Sequence, residues 1–193
     1  MHNEYINRLL NALKNVVITK ADNSSFQLEY NNGMEELLKI IIQLKNSGKH
    51  LFFIGNGGSA AIASHMTADF MKNGGIKTYC LYDSALTTCM GNDYGYEYVF
   101  SKPLSLLLND GDMVIAISSS GNSQNIVNAI QVARNKYASV ITFTGFKREN
   151  TIRKMGDYNV YVPLEEYGIV ESIHNLILQQ LVDQIMEIDG VKL

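Results

Sequence analysis

A chain of 193 residues, 46% apolar and 18% charged, has the composition of a soluble globular protein with one sizeable core and is short for two. Its net charge of −3 offers no basic excess to displace counterions from nucleic acid, and no apolar run approaches the roughly 20 residues of a membrane span. Two cysteines without a CxxC spacing argue against a disulfide framework or a zinc knuckle, and the start Met1-His2-Asn3-Glu4-Tyr5 lacks the basic-then-apolar layout of a signal peptide, so the expected location is the cytoplasm.

In chain order, Ile6, Leu9, Leu10, Leu13, Val16 and Val17 fall at helical spacing and predict a first amphipathic helix. Asp22-Asn23-Ser24-Ser25 reads as a turn with a cap. A second helix runs from about Met34, carries Leu37, Leu38, Ile41 and Leu44, and stops at Gly48, a suitable C-terminal cap. Residues 1–48 thus hold more apolar stripe than one domain needs. We take these helices as oligomer contacts; the alternative is packing on their own sheet.

From residue 50 the pattern changes to short apolar runs, each followed by a polar or glycine-rich turn and then a helical stretch. The runs are Leu51–Ile54, Thr78–Leu81, Met113–Ile117, Val140–Phe143 and Val160–Val162. Continuous runs without alternation suit strands buried on both faces, hence a parallel sheet covered by helices. Residues 123–136 predict one helix and residues 169–188 a long last one, with Ile169, Val170, Ile173, Leu176, Ile177, Leu181 and Ile185 on its apolar face. The expected fold is a single three-layer α/β domain over 1–193, with the core in 49–193.

Two turns at the carboxyl ends of predicted strands suit a phosphate. They are Gly55-Asn56-Gly57-Gly58-Ser59 and Ser118-Ser119-Ser120-Gly121-Asn122-Ser123. Glycine lets the backbone approach an anion, and a helix N-terminus presents free N–H groups to it. Either turn alone is also explained as a capped helix start, but four serines in six residues exceed what one cap uses. Neither turn is a GxxxxGK[ST] loop or a GxGxxG fingerprint, so nucleoside triphosphates and dinucleotides are not indicated.

These two turns, with His65 and Gly91-Asn92-Asp93-Tyr94-Gly95 in the same order, resemble the sedoheptulose 7-phosphate isomerase (phosphoheptose isomerase) branch of the sugar-isomerase (SIS) family over nearly the whole chain. The resemblance implies a five-stranded parallel sheet, flavodoxin-like, and a homotetramer whose sites are completed by neighbouring subunits. It implies that Ser118, Ser119, Ser120 and Ser123 hold the phosphate of a sugar, with Asn56, Gly57, Gly58, Asn92 and Asp93 as further contacts. In the family a His and a Glu four apart, a Gln and a second His bind zinc, and the Glu and second His are the acid and base. Here His65 matches the first His, while Asp69, Glu171 and Gln179 stand at the other three positions. His65, Asp69, Glu171 and Gln179 are therefore the candidate zinc ligands, Glu171 is also a candidate substrate contact, and Asp69 is the candidate catalytic base.

Moving a proton between adjacent carbons through an enediol needs a base and a donor for the carbonyl oxygen. His65 and Asp69, four apart on a helix, share a face, and they read either as functional groups or as a hydrogen-bonded structural pair. Gln179 carries an amide, which is neither acid nor base near neutral pH. His174 points about 140° away from Gln179 around the helix and reads as structural. Two readings follow. The leading one is a ketose–aldose isomerase of sugar phosphates acting in surface-polysaccharide precursor synthesis. The alternative is a non-catalytic sugar-phosphate sensor or scaffold of the same fold. Both require a phosphorylated sugar as partner, and neither requires a membrane or nucleic acid.

Overall fold

The structure is a computed structural model that describes residues 2–21 and 26–191; the turn expected at Asp22-Asn23-Ser24-Ser25 lies outside them. In chain order the elements are α1 (His2–Lys14), β1 (Val17–Lys20), β2 (Phe26–Leu28), α2 (Tyr30–Asn46), β3 (His50–Gly55), α3 (Gly58–Lys72), β4 (Lys77–Cys80) and α4 (Ser84–Tyr94). After a single-turn helix, Tyr96–Tyr98, come α5 (Ser101–Leu107), β5 (Met113–Ser118), α6 (Gln124–Asn135) and β6 (Ser139–Thr144). A second short 3-10 helix, Thr151–Lys154, precedes β7 (Tyr158–Tyr161) and α7 (Tyr167–Ile188).

One sheet organises the chain, in the order β2-β1-β7-β6-β5-β3-β4. The five strands β4, β3, β5, β6 and β7 are parallel, as their continuous apolar runs predict. The sheet nevertheless has seven strands rather than five. An antiparallel hairpin, β1 with β2, extends it by pairing β1 with β7. Val17, expected on the first helix, belongs to this hairpin: α1 ends at Lys14, and β1 begins at Val17. The second helix starts at Tyr30, one turn earlier than Met34.

Alternate residues of the parallel strands enter two cores. Leu51, Phe53, Ile115, Ile117, Ile141 and Phe143 pack with Leu37 and Ile41 of α2, Met66 and Phe70 of α3, and Ile173, Ile177 and Leu181 of α7. On the other face Phe52, Ile54, Val114, Ala116 and Val140 pack with Leu104 of α5 and with Ile126 and Ile130 of α6. Burying a Leu, Ile or Phe contributes about 1.5–3 kcal/mol each, so these layers hold the strand ends in place. The α2 helix therefore packs on its own sheet, whereas α1 turns Leu9 and Leu13 inward and leaves Tyr5, Ile6 and Leu10 exposed. No helix among the described residues is long and apolar enough to cross a membrane.

Candidate active site

The ends of β3 and β5 lie side by side, with Gly55 registered against Ile117, so both glycine-serine turns emerge together at the carboxyl end of the parallel strands. Between them and the start of α7 opens a cleft of about 690 Å³, lined by Asn56, Gly57, Gly58, Ser59, Ser118, Ser119, Ser120, Ser123, Tyr167 and Glu171. All four serines of the second turn, the first turn's Asn56, Gly57 and Gly58, and Glu171 from 48 residues further on are thus brought together.

The serine turn is held by its backbone: Ser118 Oγ accepts from Gly121 N at 3.2 Å and Ser120 Oγ from Asn122 N at 3.4 Å, which leaves their hydroxyl hydrogens to donate elsewhere. Gly121, at φ +65°, takes a conformation that L side chains avoid, and its N–H reaches back to Ser118 O at 3.0 Å. Asn122 anchors the far side, its Oδ1 accepting from Thr151 N at 2.9 Å and Thr151 Oγ1 at 2.8 Å. Ser119 Oγ is buried without a partner among the described residues. Ser123 stands at the N-cap of α6 yet makes no side-chain cap bond. A buried hydroxyl with no partner costs stability until something accepts its hydrogen. An uncapped first helical turn leaves N–H groups for an anion.

The glycine turn is braced from beneath. Asn56 and Asn125 exchange carboxamide hydrogen bonds, Asn56 Nδ2 to Asn125 Oδ1 at 3.0 Å and Asn125 Nδ2 to Asn56 Oδ1 at 2.9 Å. Tyr96 donates to Asn56 Oδ1 at 3.0 Å. The Tyr82 hydroxyl donates to Gly55 O at 3.0 Å, and burial pushes that phenol up, so it remains a donor. Gly58 is glycine because Glu171 lies against it: a Cβ there would meet Glu171 Oε2 at 2.2 Å. Burial raises the Glu171 carboxyl above its ordinary value.

Other expected residues lie outside the cleft lining. His65 and Asp69 pair with one another on α3, Nε2 to Oδ2 at 3.2 Å. They follow Gly58 by seven and eleven residues, about 10 and 16 Å along the helix. Gln179 is half-buried two turns beyond Glu171 on α7. Asn92 and Asp93 are exposed on α4 and bond each other, Asn92 Nδ2 to Asp93 Oδ1 at 2.8 Å. Among the described residues no three His, Cys, Asp or Glu side chains come together to hold a metal ion. His174 is buried, donates through Nε2 to Thr144 O at 3.1 Å, and stacks edge-on against Phe143, so it is structural, as its helical position indicates.

Tyr167, Asn125 and Tyr96 carry no signal of their own in the sequence, and Ser59 enters it only as the last residue of the glycine turn. Tyr167 is marked only in retrospect, one helical turn before Glu171; the Asn56–Asn125 pair spans 69 residues and leaves no local trace.

Residues 5–145 match the SIS domain family. The chain is 37% identical over 169 residues to the phosphoheptose isomerase of Thermodesulfovibrio yellowstonii, covering 82% of this chain and 84% of that one. It superposes on the solved phosphoheptose isomerase of Francisella tularensis with a TM-score of 0.82, 26% identity and 96% coverage of both chains. The corresponding figures for the Neisseria gonorrhoeae phosphoheptose isomerase are a TM-score of 0.78, 26% identity, and 98% and 97% coverage.

Proposed function

The chain belongs to the SIS-domain family, in its phosphoheptose isomerase branch, and from that premise we propose that it isomerises a heptose phosphate, sedoheptulose 7-phosphate, between ketose and aldose. The observation that carries the reading is the pairing, in one cleft, of uncommitted phosphate donors with a carboxylate. Ser119 Oγ is buried and unpartnered and Ser123 is free of capping, while Glu171 lies across the cleft against Gly58. The phosphate is held by the serine hydroxyls and the first turn of α6. The sugar chain then runs past Gly57, where an added Cβ would meet nothing within 4 Å.

Isomerisation takes a proton from the hydroxymethyl carbon of the ketose and returns one to the neighbouring carbon, through an enediol. We assign the transfer to Asp69, held by His65. A seven-carbon chain anchored by its phosphate at the serine turn has more reach along α3 towards this pair than a pentose or hexose. A second assignment, Glu171, is favoured by its place in the cleft and its burial-raised carboxyl, which bring a base nearer to its working pH. Gln179 supplies no proton to either. A charged sugar phosphate does not cross a membrane unaided, which supports a cytoplasmic reaction. The exposed apolar side chains of α1 support a homotetramer.

Purified protein incubated with sedoheptulose 7-phosphate in D2O, followed by NMR, tests the reading. Expected are aldose product and deuterium at the transferred position. Loss of turnover in Asp69→Asn with Glu171→Gln still active assigns the base to Asp69, and the reverse pattern assigns it to Glu171. A wild type that binds the sugar phosphate without any turnover would sink the enzyme reading in favour of a sensor.

A further inference from the structure

A second cleft, of about 770 Å³, lies away from the serine turns, between the β1–β2 hairpin and the segment 148–154 that leads into β7. Its floor is sheet. Thr19 of β1 is registered against Gln27 of β2 on one side and Asn159 of β7 on the other, so the three polar side chains form one cross-strand row. Their neighbours Ile18 and Val160 point into the core on the opposite face. The parallel strands carry helices on both faces, but this row lies open to the cleft.

The wall is cationic. Arg148, Arg153 and Lys154 line it with one carboxylate, Glu149. Lys154 and Glu149 are 3.6 Å apart and mostly exposed. Lys20 lines the cleft too, but its ammonium is committed to Glu36 on α2 at 2.7 Å. That leaves two guanidiniums, Arg148 and Arg153, with no carboxylate in salt-bridge contact among the described residues, although Glu149 acts on Arg153 from further off. Arg153 is half-buried, its Cζ 4.2 Å from the Tyr161 ring centroid, and one of its N–H groups donates to Arg148 O at 3.0 Å. Burial lowers its pKa and the like charge of Arg148 adds to the shift. A partly desolvated guanidinium with most donors unspent, beside a second one, is stabilised by a bound oxyanion. On the floor, Asn159 Oδ1 is buried and without a partner among the described residues while Nδ2 makes three bonds, an unmet acceptor beside the anion donors.

We propose that this cleft is a second phosphate site, in which Arg148 and Arg153 hold the phosphoryl oxygens of a small phosphorylated ligand and the row Gln27, Thr19 and Asn159 takes its hydroxyls. The chemistry needed is a phosphate dianion; free phosphate and a sugar phosphate both carry it. Arg148 and Arg153 are separate from the contacts that brace the serine turn, which run through Asn122, Thr151 and the Ile152 N–H to Gly121 O. Changing the arginine side chains therefore leaves the first cleft standing.

The test is calorimetric titration with ribose 5-phosphate, inorganic phosphate and unphosphorylated ribose. Wild type should take two equivalents of ribose 5-phosphate per chain, and a protein with Ser120→Ala and Ser123→Ala should keep one. Arg148→Glu, at an exposed position, should remove that second equivalent or weaken it at least tenfold, alone and in the serine variant, with thermal unfolding unchanged. Arg153→Gln should weaken it likewise. Ribose should not bind, and the tighter of phosphate and ribose 5-phosphate identifies the ligand's source. A single wild-type equivalent that Arg148→Glu removes would keep this proposal and count against the serine cleft; a single equivalent that survives Arg148→Glu, or a second one indifferent to it, overturns the proposal. Either overturning outcome leaves the serine cleft's reading intact.

Discussion

Asn56 looks, in the sequence, like a residue waiting for a ligand, but its carboxamide is already engaged with Asn125 and Tyr96. Its work is to set the glycine turn. Asn125→Ala leaves the half-buried Asn56 amide with its Nδ2 unpaired, which costs about 1 kcal/mol; thermal denaturation should show a Tm lower by a few degrees, and calorimetry a weaker sugar-phosphate interaction, because Gly57 and Gly58 lose their anchor. Unchanged Tm would show that the pair contributes nothing. Gly58→Ala separates position from stability in the opposite way. The added Cβ meets the far end of a flexible side chain, Glu171 Oε2 at 2.2 Å, so the helix survives and the carboxylate moves. Turnover should fall at least tenfold with Tm within a few degrees of wild type, if Glu171 touches substrate. The serine turn was legible because its signal is local, four hydroxyls in six residues. Asn125 and Tyr96 were not, because their role exists only once distant strands meet. Glu171 was found through family resemblance, and its burial and its contact with Gly58 only through the structure.

Elements were legible where one physical rule governed them. The five parallel strands announce themselves as unbroken apolar runs because both faces are covered. The hairpin does not: Val16 and Val17 extend the helical spacing of α1, and strands of four and three residues are too short to display a period of two. The short helix α4 buries no residue, so no apolar stripe marks it. The long helix α7 was evident, and it carries a buried histidine whose effect appears only with pH. Burial lowers His174 to about 4, against a small opposing contribution from the Thr144 carbonyl. The folded chain keeps this ring neutral, whereas the unfolded chain protonates it below its ordinary pKa of about 6.5. Its contribution to stability is therefore complete above about pH 6.5, falls between about 6.5 and 4, and is gone below that, a loss of up to about 3 kcal/mol. Urea titrations at a series of pH values should show it, and His174→Gln, which keeps a donor for Thr144 O, should flatten the slope by about one proton. A slope identical in wild type and variant would exclude the assignment.

At the scale of the molecule, one chain leaves two apolar surfaces uncovered. The first is α1, amphipathic on two sides: Leu9 and Leu13 pack inward, and Tyr5, Ile6 and Leu10 face out at 42, 52 and 45% exposure. The second lies between α4 and α5, where Leu86, Met90, Tyr94, Leu106 and Leu107 line a groove and Leu106 is 86% exposed. A dimer of dimers with dihedral symmetry needs two distinct interfaces, each closing its own two-fold axis, and two exposed apolar patches supply one for each. A single patch would stop at a dimer. Light scattering should therefore give about four times the chain mass of 21.6 kDa for wild type at micromolar concentration. Ile6→Glu with Leu10→Glu removes one interface and should halve the mass, since both side chains are exposed and the chain's own core is untouched. Leu106→Glu removes the other and should also give a dimer, and the combined variant should be monomeric with an unchanged circular dichroism spectrum. A monomeric wild type excludes the tetramer; a wild-type dimer broken by only one set of substitutions leaves one patch as the interface and the other as ordinary surface.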